Sequence, residues 1–462
     1  MSEKVIDVYR RKILEGKNAN ANSAPPKNEH AIPKKIGPVA WYDPTNGCYW
    51  MQNGRGEWQK TNETHLKRFL SERTYRAVSQ GEGKRSMIEN HLIELQLNHD
   101  VAYAGPLAGW RTGMHDICGN RVLVTREGRP IKPTSGKWDA LREFLETLLP
   151  DGQSIHLLAW IKASCQSMRS GAPYRPGQAL AIAGPAGCGK SLLQNLITEI
   201  FGGRSCKPYK FIQGRTDFNA EHLGCEHLMI EDEQASTQIG MRRDMGAAIK
   251  AMIVNETQVC YRKNKEPVML MPFWRMSISL NDEAENLMVL PPLDDSLRDK
   301  IIMLKASKAK IPYDADDMAG RRKWRQTLSN ELPGMLAYLA QWRLPSAKQD
   351  ARYGCSAWQH PELLEALDDL SPEMRLLSLI DALRPWPDGN QPWIGTANDL
   401  EEKLLEKDKL GRVAKLLGFN TACGVYLSRL AKCRKERVEI MDRKSGKAIW
   451  KISMPSEEPL PQ

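Results

Sequence analysis

The stretch Gly184-Pro185-Ala186-Gly187-Cys188-Gly189-Lys190-Ser191 fits Gly-x4-Gly-Lys-Ser in full and directly follows the apolar run Ala179-Leu180-Ala181-Ile182-Ala183. That run reads as a buried strand, and a helical pattern begins at Leu192. Glycines at these positions let backbone N–H groups curl around an anionic phosphate. Lys190 adds a positive charge near the β and γ phosphates, Ser191 offers a hydroxyl to Mg²⁺, and the helix points its positive dipole end at the same place. Gly184 to Ser191 are therefore expected to hold a nucleoside triphosphate, with ATP and Mg²⁺ as cofactors. A chance glycine turn would not need the flanking strand and helix.

A phosphate cradle alone suits a kinase or a GTPase equally well. An ATPase also needs an acid to hold Mg²⁺, a group to orient water and a polar sensor of the γ-phosphate. The segment His227-Leu228-Met229-Ile230-Glu231-Asp232-Glu233 runs from an apolar strand into three acids, at the end where α/β sheets place their ligand sites. Asp232 is assigned to the Mg²⁺ shell and Glu233 to water activation; Glu231 leaves the register open by one residue. A second apolar strand, Phe273 to Leu280, ends at Asn281-Asp282. Asn281 there can hydrogen-bond the γ-phosphate or the attacking water. Between the two strands, Asn255 to Leu270 alternates, turns at the basic tip Arg262-Lys263-Asn264-Lys265 and returns, as a β-hairpin would.

This order of nucleotide motif, acidic strand end, basic hairpin and a Ser-containing strand ending at Asn281 resembles the superfamily 3 helicases. More closely it is similar to the primase-helicase proteins of phages, plasmids and integrated mobile elements. Phe218-Asn219, Leu290 to Ser296 and Glu331-Leu332-Pro333-Gly334 add further family-like text, and the resemblance covers about 150–345. It implies an AAA+-type ring, usually a hexamer, with ATP sites between subunits. Arg262, Lys263 and Lys265 would then line a central channel and grip single-stranded DNA. The resemblance also implies an arginine finger across the subunit interface; Arg298 is the assignment, with Arg242, Arg243 and Lys300 as rivals. Many relatives carry a primase, but residues 1–150 show neither clustered acids with a histidine nor a zinc module, so primer synthesis is not expected of this chain. A separate primase or replication protein is an expected partner.

At 462 residues the chain is expected to hold several domains. Residues 1–38 read as a basic, Pro-rich flexible segment, 39–150 as a mixed α+β domain, 151–345 as the P-loop ATPase domain with a helical lid, 346–366 as a connector, and 456–462 as a tail. Residues 367–455 carry helical patterns at 372–384, 397–406, 410–417 and 421–436, then two strands around a basic turn. Three helices and a β-ribbon describe a winged helix. From Arg429 to Lys451 there are nine basic and three acidic residues. Duplex or forked DNA would meet Ser428, Arg429, Lys432, Arg434, Lys435, Arg443, Lys444 and Lys447. The fold class is thus α/β, an AAA+ or superfamily 3-type ATPase core between an α+β domain and a winged helix.

Composition adds little to this. The net charge of +10 suits a polyanionic partner. The 10 cysteines form no Cys-x2-Cys pair, which argues against a zinc ribbon, and their scatter argues against a disulfide framework. The first residues hold no signal-peptide core and no apolar run nears membrane-spanning length, so a soluble cytoplasmic protein without membrane contact is expected. The function this supports is an ATP- and Mg²⁺-dependent replicative DNA helicase. A replication initiator or helicase loader, and an ATP-regulated non-catalytic DNA-binding protein, are the alternatives.

Overall fold

The run Ala179–Ala183 is a strand with every residue buried, because it has a neighbour on each edge and helices over both faces. In the computed structural model, residues 39–73, 85–169, 176–231, 239–294, 296–313, 317–386, 391–444 and 447–455 are described. Five parallel strands form the central sheet: β1 (Ala179–Ala183), β2 (Ser205–Cys206), β3 (His227–Glu231), β4 (Arg275–Leu280) and β5 (Ile301–Lys305). Their order is β5-β1-β4-β3-β2. Ala183 lies opposite Leu280 on one side and Lys305 on the other, and Ser279 lies opposite Glu231. The carboxyl ends of β1, β3 and β4 therefore emerge along one edge, where a ligand crevice belongs in such sheets.

Alternation along the strands divides the interior into two cores. Leu180, Ile182, Ile302 and Leu304 face the helices Asp139–Leu148, Ser154–Arg169, Lys190–Ile200 and Met318–Gln341. Ala179, Ala181, Ile301 and Met303 face the helix Ile239–Val254 on the opposite side. Burying each of the larger side chains contributes about 1.5–3 kcal/mol.

The region before the central sheet is distributed over three cores. Strands Trp41–Asp43, Cys48–Gln52 and Trp58–Thr61 form an antiparallel sheet that packs with helices Glu63–Glu72 and Met87–Asn98. Tyr49, Leu66, Leu70 and Leu92 close this small core. A second small sheet, Tyr103–Gly105, Gly113–Ile117 and Asn120–Val124, contributes Tyr103, Ile117, Val122 and Val124 to a core of the central sheet. Helix Asp139–Leu148 joins the opposite core. The expected boundary at 150 therefore coincides with no break in packing. The expected connector is likewise bound in: Cys355 is buried in one core, Leu363 in the other, and Met303 bridges to Gln359 at the sheet edge.

The C-terminal unit has its own core, built from Leu376, Trp393, Leu400, Val413, Leu427, Trp450 and neighbours. Helices span Pro372–Leu383, Ala397–Lys407, Arg412–Leu416 and Ala422–Cys433, where the sequence patterns place them. Strands Val438–Lys444 and Lys447–Ile452 pair antiparallel. A third strand, Trp393–Thr396, pairs with Lys447–Ile452. It is too short for a legible alternation, and the sequence reading missed it. Ser371 caps the first helix, and Thr396 forms a capping box with Asp399 on the second. Among the described residues, no helix is long and apolar enough to cross a membrane.

Candidate functional site

Between β1 and the helix Lys190–Ile200, the chain turns in a loop whose glycines are required for two different reasons. A Cβ on Gly184 would stand 2.4 Å from the Ala306 carbonyl oxygen, so the close approach of the chain after β5 demands glycine there. Gly189 has φ +122, and a Cβ would also press on the Phe144 ring at 3.3 Å. Strain and contact both exclude a side chain there. Pro185, Ala186 and Gly187 are exposed at the tip, while Cys188 is buried beneath it.

The Lys190 side chain is buried. Its Nζ donates to the carbonyls of Gly184 at 2.6 Å and Pro185 at 2.8 Å, and to Asn281 Oδ1 at 3.3 Å. Two residues 91 positions apart thus meet because β1 and β4 are neighbours in register. The Asn281 carbonyl oxygen faces the ammonium, which leaves its amide nitrogen as a donor. Ser191 is exposed on the first helical turn. The structure brings Lys190, Ser191 and Asn281 to one edge of the sheet. Asp232 and Glu233 lie outside the described residues; Glu231, at the end of β3, pairs with Lys207 at 2.9 Å.

A buried polar chain lies behind the loop. Thr198 Oγ1 meets His227 Nδ1 at 2.7 Å, His227 Nε2 meets Ser277 Oγ at 2.8 Å, and Gln194 Nε2 donates to Ser277 Oγ at 2.8 Å. These contacts tie the helix after the loop to β3 and β4. Burial pushes the His227 imidazole down to about 3, so it is neutral. The sequence reading used His227 only as the start of a strand and passed over Gln194 and Ser277. Their signal was faint: polar residues at positions otherwise filled by apolar ones.

More distant residues support the loop from outside. Phe144 and Leu148 face Gly189 from helix Asp139–Leu148. Trp138, which precedes that helix, makes no side-chain cap; instead Glu331 Oε2 accepts from Leu141 N at 2.7 Å. Gly334 lies against the backbone of Gly136, where a Cβ would come within 2.8 Å of its carbonyl oxygen.

The basic hairpin is present as strands Gln258–Cys260 and Val268–Leu270, with Asn264 at φ +56 in the turn. Asn219 clamps it, donating to Val259 O and accepting from Tyr261 N, both at 2.8 Å. Lys263 is exposed at the tip. Arg262 and Lys265 turn toward the N-terminal region, where Arg262 donates to Ala102 O at 3.3 Å and Lys265 donates to Asn46 Oδ1.

The basic residues considered for a role across an interface separate by burial. Arg242 is buried and donates to Leu290 O at 2.9 Å, and burial pulls it down to about 10. Lys300 is buried and pairs with Asp299 at 2.5 Å. Both are committed within the chain. Arg243 lies 5.9 Å from the Tyr426 ring of the C-terminal unit. Arg298 is half exposed in the turn before β5, with a loose 4.0 Å contact to Asp368.

In the C-terminal unit, Ser428, Lys432, Lys435 and Lys447 are exposed and Arg434 is partly so. Arg429 pairs with Glu373 at 3.4 Å, so its charge is partly spent within the protein. The side chains of Arg443 and Lys444 lie outside the described residues. Ser428, Arg429 and Lys432 line an open groove of about 490 Å³ between helices Ala397–Lys407 and Ala422–Cys433.

A family of unknown function, DUF5906, matches residues 182–298, from the end of β1 through Arg298. No curated protein matches the chain. Among solved structures, the chain is similar to the A form apo structure of the NrS-1 C terminal region, with a TM-score of 0.52 and 14% identity, covering 90% of this chain and 96% of that one. A second apo structure of that region matches with the same TM-score, identity and coverage. At this identity the likeness is one of fold. A structure titled "SCCmec type IV Cch - active helicase" matches at 11% identity over 86% of this chain and 73% of that one, with a TM-score of 0.34, below what a shared fold requires.

Proposed function

We propose that the chain is an ATP- and Mg²⁺-dependent DNA helicase of a phage, plasmid or integrated mobile element, working as a ring on single-stranded DNA. The observation that carries this reading is the meeting of Lys190 and Asn281 across the carboxyl ends of β1 and β4, 3.3 Å apart. A strand-tip amide held beside the phosphate-binding lysine supplies the polar group that a hydrolysing site needs to orient water, which a passive phosphate loop has no use for.

The residues present fit the nucleotide and its metal. Lys190, which donates to two loop carbonyls and Asn281, would exchange these acceptors for β and γ phosphate oxygens, and the exposed backbone from Pro185 to Gly187 would wrap them. The hydroxyl of Ser191 and the carboxylate of Asp232 would hold Mg²⁺, which neutralises charge developing on the phosphates. The free amide nitrogen of Asn281 orients the attacking water, and Glu233 accepts its proton. Arg298, half exposed where Arg242 and Lys300 are buried, is the side chain best able to reach a neighbouring subunit's site. Lys263 and its neighbours grip the strand in the ring. The C-terminal unit, with a short strand completing its β-ribbon, acts as a winged helix that docks on duplex or forked DNA.

The test is strand displacement from a forked duplex with ATP and Mg²⁺, with Lys190→Ala and Glu233→Gln as controls. Displacement by the wild-type protein and loss in both variants is expected. DNA-stimulated ATP hydrolysis without any displacement would sink the helicase reading.

A further inference from the structure

A cleft of about 690 Å³ opens between the N-terminal region and the β2–β3 edge of the central sheet, and the basic hairpin forms one of its walls. Arg262 and Lys265 come from the hairpin, Arg126 and Asn46 from the N-terminal region. We infer that this cleft is a second binding track for single-stranded DNA, continuous with the hairpin tip and completed by the N-terminal region. The inference rests on the helicase reading and extends it, because that reading places DNA only at the hairpin tip and the C-terminal unit.

Three features fit a sugar-phosphate chain. The first is charge. The carboxylate of Glu226 is held by Arg204, whose Nε donates to it at 2.9 Å, and both are withdrawn from solvent. That leaves Arg126, Arg262 and Lys265 against Glu221, the one acid besides Glu226 that the described residues bring to this cleft, an excess suited to consecutive phosphates. The second is preorganisation. Arg262 lies over the Tyr103 ring at 5.5 Å and is tied to Ala102 O, so little rotamer freedom remains to be lost on binding. The backbone of Arg126 is anchored by Arg204, which donates to its carbonyl at 3.0 Å. The third is shape. Gly105, Gly203 and Gly224 line the cleft, and backbone without side chains lets a ligand lie close. Lys263, exposed at the hairpin tip, extends the basic surface beyond the mouth.

The arrangement also gives Lys265 two partners. Its ammonium contacts Asn46, and a bound phosphate would draw it across the cleft mouth, so that DNA and the N-terminal region share the hairpin.

The test is fluorescence anisotropy of a labelled oligothymidylate with the full chain, from 50 to 200 mM salt. Arg126 is exposed, and Arg126→Glu is expected to weaken binding about tenfold and to flatten the log Kd against log salt slope by about 0.7, one phosphate contact. Glu221→Lys is expected to tighten binding several-fold. Lys323→Glu, the same reversal on the exposed face of helix Met318–Gln341, should stay within twofold of wild type. Wild-type affinity and slope in Arg126→Glu, together with no gain in Glu221→Lys, would overturn the cleft while leaving the helicase reading intact. A wild-type protein that binds no oligothymidylate at any salt would overturn both.

Discussion

Acid should weaken this protein through His227, and a single substitution should remove that dependence. The imidazole is fully buried between Thr198 and Ser277, and burial lowers it from 6.5 to about 3. A histidine whose folded value lies below its unfolded value stabilises the protein fully above the unfolded value. That contribution is lost as pH falls from 6.5 toward 3, because the unfolded chain takes up a proton that the folded chain refuses. Each pH unit in this window costs about 1.4 kcal/mol, so at pH 5 the wild-type protein should have lost about 2 kcal/mol through this group. His227→Gln gives up good hydrogen bonds and should be less stable at pH 8 by about 1–3 kcal/mol. Since it cannot titrate, the gap should close by about 2 kcal/mol between pH 8 and pH 5. For a unit the size of the central sheet and its helices, that is a convergence of roughly 4–8 °C in Tm. His156, lowered to about 4 by burial and by Lys348, titrates in both proteins and cancels from the difference. Thermal unfolding at pH 8, 6.5 and 5 decides the matter. A gap that stays constant or widens on acidification would refute the reasoning.

The remaining predictions concern the loop and its supports. On the proposed reading, in which the Asn281 amide acts on the water or the γ-phosphate rather than on binding, Asn281→Ala should lower ATPase kcat about a hundredfold with little change in KM; steady-state kinetics will show which constant moves. Gly184→Ala places a Cβ 2.4 Å from a backbone oxygen that cannot turn aside, so β1 and the segment after β5 must separate. A loss of about 1–3 kcal/mol is expected, read as a lower Tm. Glu226→Ala leaves Arg204 nearly buried without its partner and frees Gly109 N, which donates to the same carboxylate at 3.0 Å. It should cost about 3–5 kcal/mol and expose the link between the N-terminal region and the sheet to limited proteolysis.

Much of the sheet could be read from local pattern. β1 is an uninterrupted apolar run that stops at Gly184, as a strand buried on both faces must look; β3 and β4 are mostly apolar up to the acids after Ile230 and to Asn281, broken by His227 and by Arg275, Ser277 and Ser279. The hairpin was legible because alternation on either side of a basic turn has few other solutions. The C-terminal helices announced themselves by their helical patterns, two of which begin directly after Ser371 and Thr396, the residues that cap them in the structure. The cores of the N-terminal region did not, because residues 103–124 carry a strand pattern identical whether they close their own core or another's. Nor was the docking of Arg262 and Lys265 readable, since a lysine or arginine at a turn looks the same solvated or paired. Burial alone separated Arg242 and Lys300 from Arg298.

The loop at residues 184–191 shows where sequence ends and structure begins. Residues 184–191 by themselves determined a turn that only glycines permit, a lysine at its far end and a helix to follow, because those properties follow from backbone sterics over a few consecutive positions. Only the tertiary structure decided what the loop faces. Asn281 reaches Lys190 because β4 lies beside β1; Gly184 must be glycine because Ala306 passes against it; Gly189 is backed by Phe144, whose helix is capped from Glu331. Each contact joins residues tens to nearly two hundred positions apart. No local pattern encodes such pairs; they exist once the strand order β5-β1-β4-β3-β2 is formed.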